Sequence, residues 1–237
     1  MALTAPTACR FDGDALPGAP RVLAIATPLP PAGTPEQARQ HARGRARAAL
    51  RRALAAAWGC APEALSIGDQ RGQPPTLGWV GTGAAPAAWA GTRLSISHAP
   101  GLSLVAWHER GGVGVDLQAL PLQASRAELL RTAGLFLPPY SIETLAIQAW
   151  GASFIEAFTD HWSAHEAALK CLGQALVEYH PALAAPLAGL RRAALGLPVW
   201  APAGLVAALA WSPQRGQDAA ITPQAMRAPE LPVGWVW

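Results

Sequence analysis

The stretch RLSISHAPGLSLVAWHERGGVGVDL, Arg93–Leu117, decides the fold. Apolar residues alternate at Leu94 and Ile96, and again at Leu102, Leu104 and Ala106, the period of a strand with one buried face. Ala99-Pro100-Gly101 and Arg110-Gly111-Gly112 interrupt the alternation with turn residues. The stretch reads as strand, turn, strand, turn, strand, a small antiparallel meander. Upstream, Thr34 to Gly59 reads as one helix. Thr34 is its N-cap, Pro35 takes the first helical position, Glu36 sits in the first turn and Gly59 stops it. Downstream, the chain is mostly helical from about Ser141 to Gly173, and GLVAALAWS, Gly204–Ser212, returns to strand. That stretch resembles GLSLVAWHE, Gly101–Glu109, since both start Gly-Leu and reach a Trp through small apolar residues. Together these elements predict an α+β chain of two related halves, joined near residues 118–125.

The composition agrees. The 237 residues are 51% hydrophobic and 14% charged, enough to bury a core and without the charge excess of a disordered chain. Gly and Pro, 23 each, predict many turns and short elements. A net charge of +3 fits an anionic ligand or acidic partner and is too weak to argue for nucleic acid. Arg39, Arg43, Arg45, Arg47, Arg51 and Arg52 share the predicted first helix, as a solvated face or as a phosphate-facing subset. Cys9, Cys60 and Cys171 are far apart and form no CxxC pair, which argues against a disulfide framework or cysteine zinc site and fits a reducing compartment. The opening MALTAPTACRFDGDALPG shows no basic segment followed by an apolar one. Pro198, Pro202 and Pro213 interrupt the long uncharged run from Ala193 to Gln214, which argues against a membrane span. A cytoplasmic protein is expected, and two internal halves would make a monomer self-sufficient.

Three clusters of residues can carry chemistry. In HWSAHEAALKCLG, His161–Gly173, Glu166 and Lys170 lie one helical turn apart. Lys170 is the only lysine among 18 basic residues. The pair is either an ordinary surface ion pair or a proton-handling pair, a role lysine can take and arginine effectively cannot. In GGVGVDLQ, Gly111–Gln118, the third glycine of a dinucleotide fingerprint is absent, and the stretch is a strand delivering Asp116. Alternation puts Asp116 and Gln118 on one face and Leu117 on the other. Asp116 is a hydrogen-bonded strand-end carboxylate or a functional one. In SISHAPG, Ser97 and His98 end a strand at a tight turn, where a side chain either meets an anion or has a structural role. His161 and His165 also stand one turn apart, but the order HxxxHE differs from the HExxH of zinc hydrolases.

Taken in order, RGQPP (71–75), LSISHAPG (94–101), GVGVDLQ (112–118) and WSAHEAALKCLG (162–173) resemble the 4′-phosphopantetheinyl transferases of the larger, single-chain type. The resemblance covers roughly residues 35–215. It implies two pseudosymmetric α+β halves, each a small antiparallel sheet packed with helices, at residues 1–120 and 121–237. It also implies a Mg²⁺-dependent reaction that moves the phosphopantetheine arm of coenzyme A onto a serine of an apo acyl or peptidyl carrier protein, releasing adenosine 3′,5′-bisphosphate. By the same resemblance, Asp116 and Glu166 are metal ligands with Gln118, and Glu166, Lys170 and Asp116 are catalytic. Ser97, His98, His165, Lys170 and Gln73 would then contact the coenzyme's phosphates, with Arg39 and Arg43 candidates for its 3′-phosphate.

The chain departs from the family pattern at three ligand-facing positions. Gln118 stands where many relatives have a second acid, His165 where the last motif has its first lysine, and Gln73 where the first motif has its lysine. These changes imply weaker coenzyme A affinity, another pantetheine donor, or a non-catalytic transferase-like domain that binds coenzyme A or a carrier protein. A Mg²⁺-dependent phosphohydrolase of another kind is the remaining alternative.

Overall fold

In the first sheet, alternation and turn chemistry produce the expected hairpin. The computed structural model describes residues 19–28, 34–68, 70 and 73–212. β4 (Arg93–Ala99) and β5 (Gly101–His108) pair antiparallel around Pro100, and β1 (Arg21–Thr27) pairs with the other edge of β5. The order is β1-β5-β4, so β5 is central and both its faces are covered. Leu102, Leu104 and Ala106 point to one side, and Ser103, Val105 and Trp107 to the other.

α1 (Pro35–Trp58) covers the second of these faces. Ala46, Ala49, Leu50 and Leu54 pack with Ile25, Leu94, Val105 and Trp107. Its boundaries follow the predicted caps. The Thr34 side chain accepts from Gln37 N, the Gln37 side chain accepts from Thr34 N, and Gly59 closes the helix at a φ of 66°, where a side chain would be strained. A two-stranded ladder of β2 (Leu65–Ile67) and β3 (Leu77–Trp79) extends this layer.

The third strand of the expected meander goes elsewhere. β6 (Val113–Ala119) pairs with β8 (Leu205–Trp211), which also pairs with β7 (Arg191–Ala194), in the order β6-β8-β7. Both edges of β5 are already taken, so β6 cannot join it. Instead β6 runs beside β4 in the same direction, and serine hydroxyls bridge the two strands. Val115 N donates to Ser95 Oγ (3.0 Å) and Leu117 N to Ser97 Oγ (3.1 Å). The two sheets share a core in which Leu102, Leu104 and Ala106 meet Val113, Val115, Leu117, Leu209 and Trp211.

The second sheet carries α2 (Arg126–Phe136), α3 (Pro139–Ala146), α4 (Ala152–Cys171) and α5 (Ala184–Ala188). The long helix α4 lies on β6 and β8. The α+β class therefore holds, with small antiparallel sheets. One plan occurs twice: strand, long helix, strand, strand, with the third strand placed centrally. The similar stretches Gly101–Glu109 and Gly204–Ser212 contain β5 and β8, the two central strands. Sheet membership changes at the turn 109–112, ahead of both the 118–125 join and the 1–120 boundary expected from sequence. Among the described residues, no helix is long and apolar enough to cross a membrane. Cys60 and Cys171 are free thiols, and Cys9 lies outside the described residues.

Candidate active site

The site begins with a close approach of two backbones. On β6, Gly114, Asp116 and Gln118 face α4. A methyl group at Gly114 would lie 2.5 Å from Cys171 N and nearer still to the Ala167 carbonyl oxygen, and one at Gly112 would lie 2.6 Å from Cys171 O. Only glycine lets α4 rest directly on the strand here. That contact brings Asp116 under the helix face bearing Trp162, Glu166 and Lys170, each one turn from the next.

Asp116 is buried, with 1% of its surface exposed. Lys170 Nζ donates to Asp116 Oδ1 at 2.6 Å, to Ser97 Oγ at 3.3 Å and to the Val115 carbonyl at 3.4 Å. Ser97 Oγ donates to the same Asp116 oxygen (3.1 Å) while accepting from Leu117 N. Gln118 Nε2 donates to Asp116 Oδ2 (2.9 Å) and to Glu166 Oε2 (3.3 Å). Trp162 Nε1 donates to the other Glu166 oxygen at 3.1 Å, its ring stacked on Phe158 and edge-on to Phe136. Lys170 is 4.0 Å from Glu166, so its closer partner is Asp116, and the surface-pair reading of Glu166 and Lys170 does not hold.

The charges are unevenly shared. Lys170 balances Asp116, which leaves Glu166 as the surplus acid. Burial, and then the Asp116 charge, push the Glu166 carboxyl up to about 7 against the opposing pull of Lys170. Glu166 thus changes charge near neutral pH. Both α4 residues reach a cleft of about 470 Å³ lined also by Gln73, Pro74, Ser95 and Ile96. Lys170 also borders an adjoining cleft of about 540 Å³ beside Trp89, Arg93 and Gly112.

The structure gathers Asp116, Gln118, Glu166, Lys170 and Ser97, and puts Gln73 on the cleft wall. Arg71 and Gly72 of the RGQPP motif lie outside the described residues. His98 does not join the cluster, because strand alternation turns it to the α1 face, where its Nδ1 and the Ser103 hydroxyl share a 2.7 Å hydrogen bond. His165 does not join it either. It is 2% exposed, neither ring nitrogen has a hydrogen-bond partner, and burial together with Arg192 lowers it to about 4. His165 lines neither cleft. Arg39 is exposed and pairs with Glu36 at 3.2 Å, and neither it nor Arg43 lines either cleft.

Sequence reasoning missed Trp162 as the donor that holds Glu166, although the i,i+4 spacing of indole and carboxylate carried that signal. It also missed Ser95, because no sequence pattern foretold that its hydroxyl would serve another strand's amide.

The donor chemistry suits Mg²⁺. Two carboxylates meet one Gln118 amide beside the cleft, and hard oxygen donors of this kind are what the ion takes. No protein-family model matches this chain, and no curated protein matches it.

Proposed function

We propose that the chain is a 4′-phosphopantetheinyl transferase of the larger, single-chain type, acting on coenzyme A and an apo acyl or peptidyl carrier protein. The observation that carries this reading is the convergence of Asp116, Glu166 and Lys170 at a cleft beside the seam between two sheets. The duplicated strand order supports the two-halved fold, with the halves divided at the turn 109–112.

In this reading the carrier serine oxygen attacks the phosphorus that bears the pantetheine arm. A new phosphorus–oxygen bond forms, and the bond to adenosine 3′,5′-bisphosphate breaks. Glu166, the carboxylate that Lys170 does not neutralise, accepts the serine proton. The indole of Trp162 holds one of its oxygens, and the Gln118 amide contacts the other. The Lys170 ammonium, anchored by Asp116 and Ser97, donates to the departing phosphate. Asp116, Glu166 and the Gln118 side-chain oxygen would hold Mg²⁺, which neutralises charge on the pyrophosphate when bound.

A second reading, a non-catalytic domain that binds coenzyme A or a carrier, draws support from Gln118. Its amide nitrogen donates to both carboxylates, at the position where the family resemblance expects a further acid. One experiment separates the two. A purified apo acyl carrier protein is incubated with this protein, coenzyme A and Mg²⁺, with a parallel sample in EDTA, and intact masses are measured. A metal-dependent gain of one phosphopantetheine arm is expected. Coenzyme A binding without mass gain on several unrelated apo carriers would select the non-catalytic reading.

A further inference from the structure

We propose that Gln118 is a reversible stand-in for the cation of this site. Without metal its two N–H groups tie Asp116 to Glu166, and it turns its oxygen inward when a divalent ion enters. The inference rests on the metal site of the reading above, and concerns how that site is regulated.

The first support is geometric. One nitrogen lies 2.9 Å from Asp116 Oδ2 and 3.3 Å from Glu166 Oε2. A primary amide nitrogen has two donors, and here each carboxylate takes one. The second is a charge count. Lys170 is committed to Asp116 at 2.6 Å and stands 4.0 Å from Glu166, so one ammonium serves two acids. Trp162 donates to one Glu166 oxygen, and Gln118 supplies the donor to the other and a further one to Asp116 without adding charge. The third is chemical. An amide carries donor and acceptor on one flat group, so a half-turn of its terminal bond exchanges the nitrogen for the oxygen. Gln118 sits one residue from the end of β6 and is only half-buried, which gives the turn room. The resting site is thereby closed and satisfied, and an entering ion must displace two hydrogen bonds.

The test compares the full chain with Gln118→Glu and Gln118→Met, using Mg²⁺ or Mn²⁺ alone as the probe. The readouts are thermal unfolding in EDTA and in excess ion, and calorimetric titration. Wild type is expected to gain less in unfolding temperature from the ion than Gln118→Glu does, because binding must first break the two amide hydrogen bonds. Gln118→Glu sets three acids against one lysine, so it loses stability in EDTA and regains it with the ion, binding it roughly tenfold or more tighter than wild type because the site gains a charged oxygen ligand. An equal unfolding temperature of Gln118→Glu in EDTA and in ion, with unchanged affinity, would overturn the proposal. So would a wild type that the ion stabilises as strongly as the variant. If Gln118→Glu folds under neither condition, Gln118→Met decides. It lacks both donors and must be less stable than wild type in EDTA, and equal stability overturns the proposal. Metal-dependent stability in Gln118→Glu, with no carrier modified by either protein, removes the transferase reading and leaves this inference standing.

Discussion

Two glycine-to-alanine substitutions should move stability in opposite directions. At Gly114 the added methyl would lie 2.5 Å from Cys171 N and 2.9 Å from the Ala167 carbonyl carbon. Ordinary heavy-atom contact needs about 3.5–4.0 Å, so α4 must retreat from β6 by roughly 1 Å. Overpacking of that kind costs about 1–3 kcal/mol, which lowers Tm by roughly 2–12 °C in a chain of this size. The same retreat stretches the Lys170–Asp116 contact, 2.6 Å in the native protein, to about 3.6 Å, beyond hydrogen-bonding distance. Gly44 is the opposite case. It lies within α1, and an added methyl would meet nothing within 4 Å. Alanine there removes an entropic penalty and gains about 0.5–1 kcal/mol. Circular-dichroism melts of the two variants and wild type at one pH decide the matter. A Gly114→Ala protein melting at the wild-type temperature, or two shifts of the same sign, would refute the argument that helix–strand contact at Gly114 builds the site.

Ser95→Ala leaves the buried Val115 amide without an acceptor, at a cost of about 1–3 kcal/mol read from urea unfolding. His165 is held at about 4 against 6.5 for the free side chain. The unfolded chain therefore takes up a proton that the folded one refuses, and stability is lost as pH falls from about 6.5 to about 4, by an amount on the order of 3 kcal/mol. A His165→Leu protein should lack that loss, seen as a smaller difference between unfolding free energies at about pH 7 and about pH 4.5. For Mg²⁺ binding, Glu166 must be ionised, and it faces Asp116, Lys170, Gln118 and Trp162 with its carboxyl raised to about 7. Affinity should fall about tenfold per pH unit below that value, with proton release on binding, and level off above about pH 8, as calorimetry in buffers of different ionisation enthalpy would report. A pH-independent affinity would remove Glu166 from the ligand set.

Elements with local punctuation were the legible ones. α1 announced itself through Thr34, Pro35 and Gly59, and the β4–β5 hairpin through alternation around Pro100-Gly101. The fate of β6 was not legible, because a period of two says that a segment is a strand and nothing about which edge it meets. Its destination depends on β1 occupying the far edge of β5, a contact between residues about 80 apart in the chain. In the site, spacing showed two local pairings, and the grouping of Asp116 with Glu166 and Lys170 was an expectation from the family resemblance. The helix turn between Glu166 and Lys170 and the strand face shared by Asp116 and Gln118 are properties of each element alone. The burial of His165 was not legible, because neighbouring helix positions point about 100° apart, and which direction meets the core depends on how α4 is seated. The strand face that His98 takes is likewise decided by where α1 lies.

Lys170 has a practical consequence beyond its ion pair with Asp116. It carries the only ε-amine among the 237 residues, a third of its side chain is exposed, and it touches β4, β6 and α4 at once. Among these 237 residues, amine-directed chemistry on side chains therefore labels the protein at its seam. Reductive methylation with isotopically enriched formaldehyde installs one magnetic-resonance reporter between the two sheets. Its chemical shift follows the ionic state of the junction without a single engineered residue.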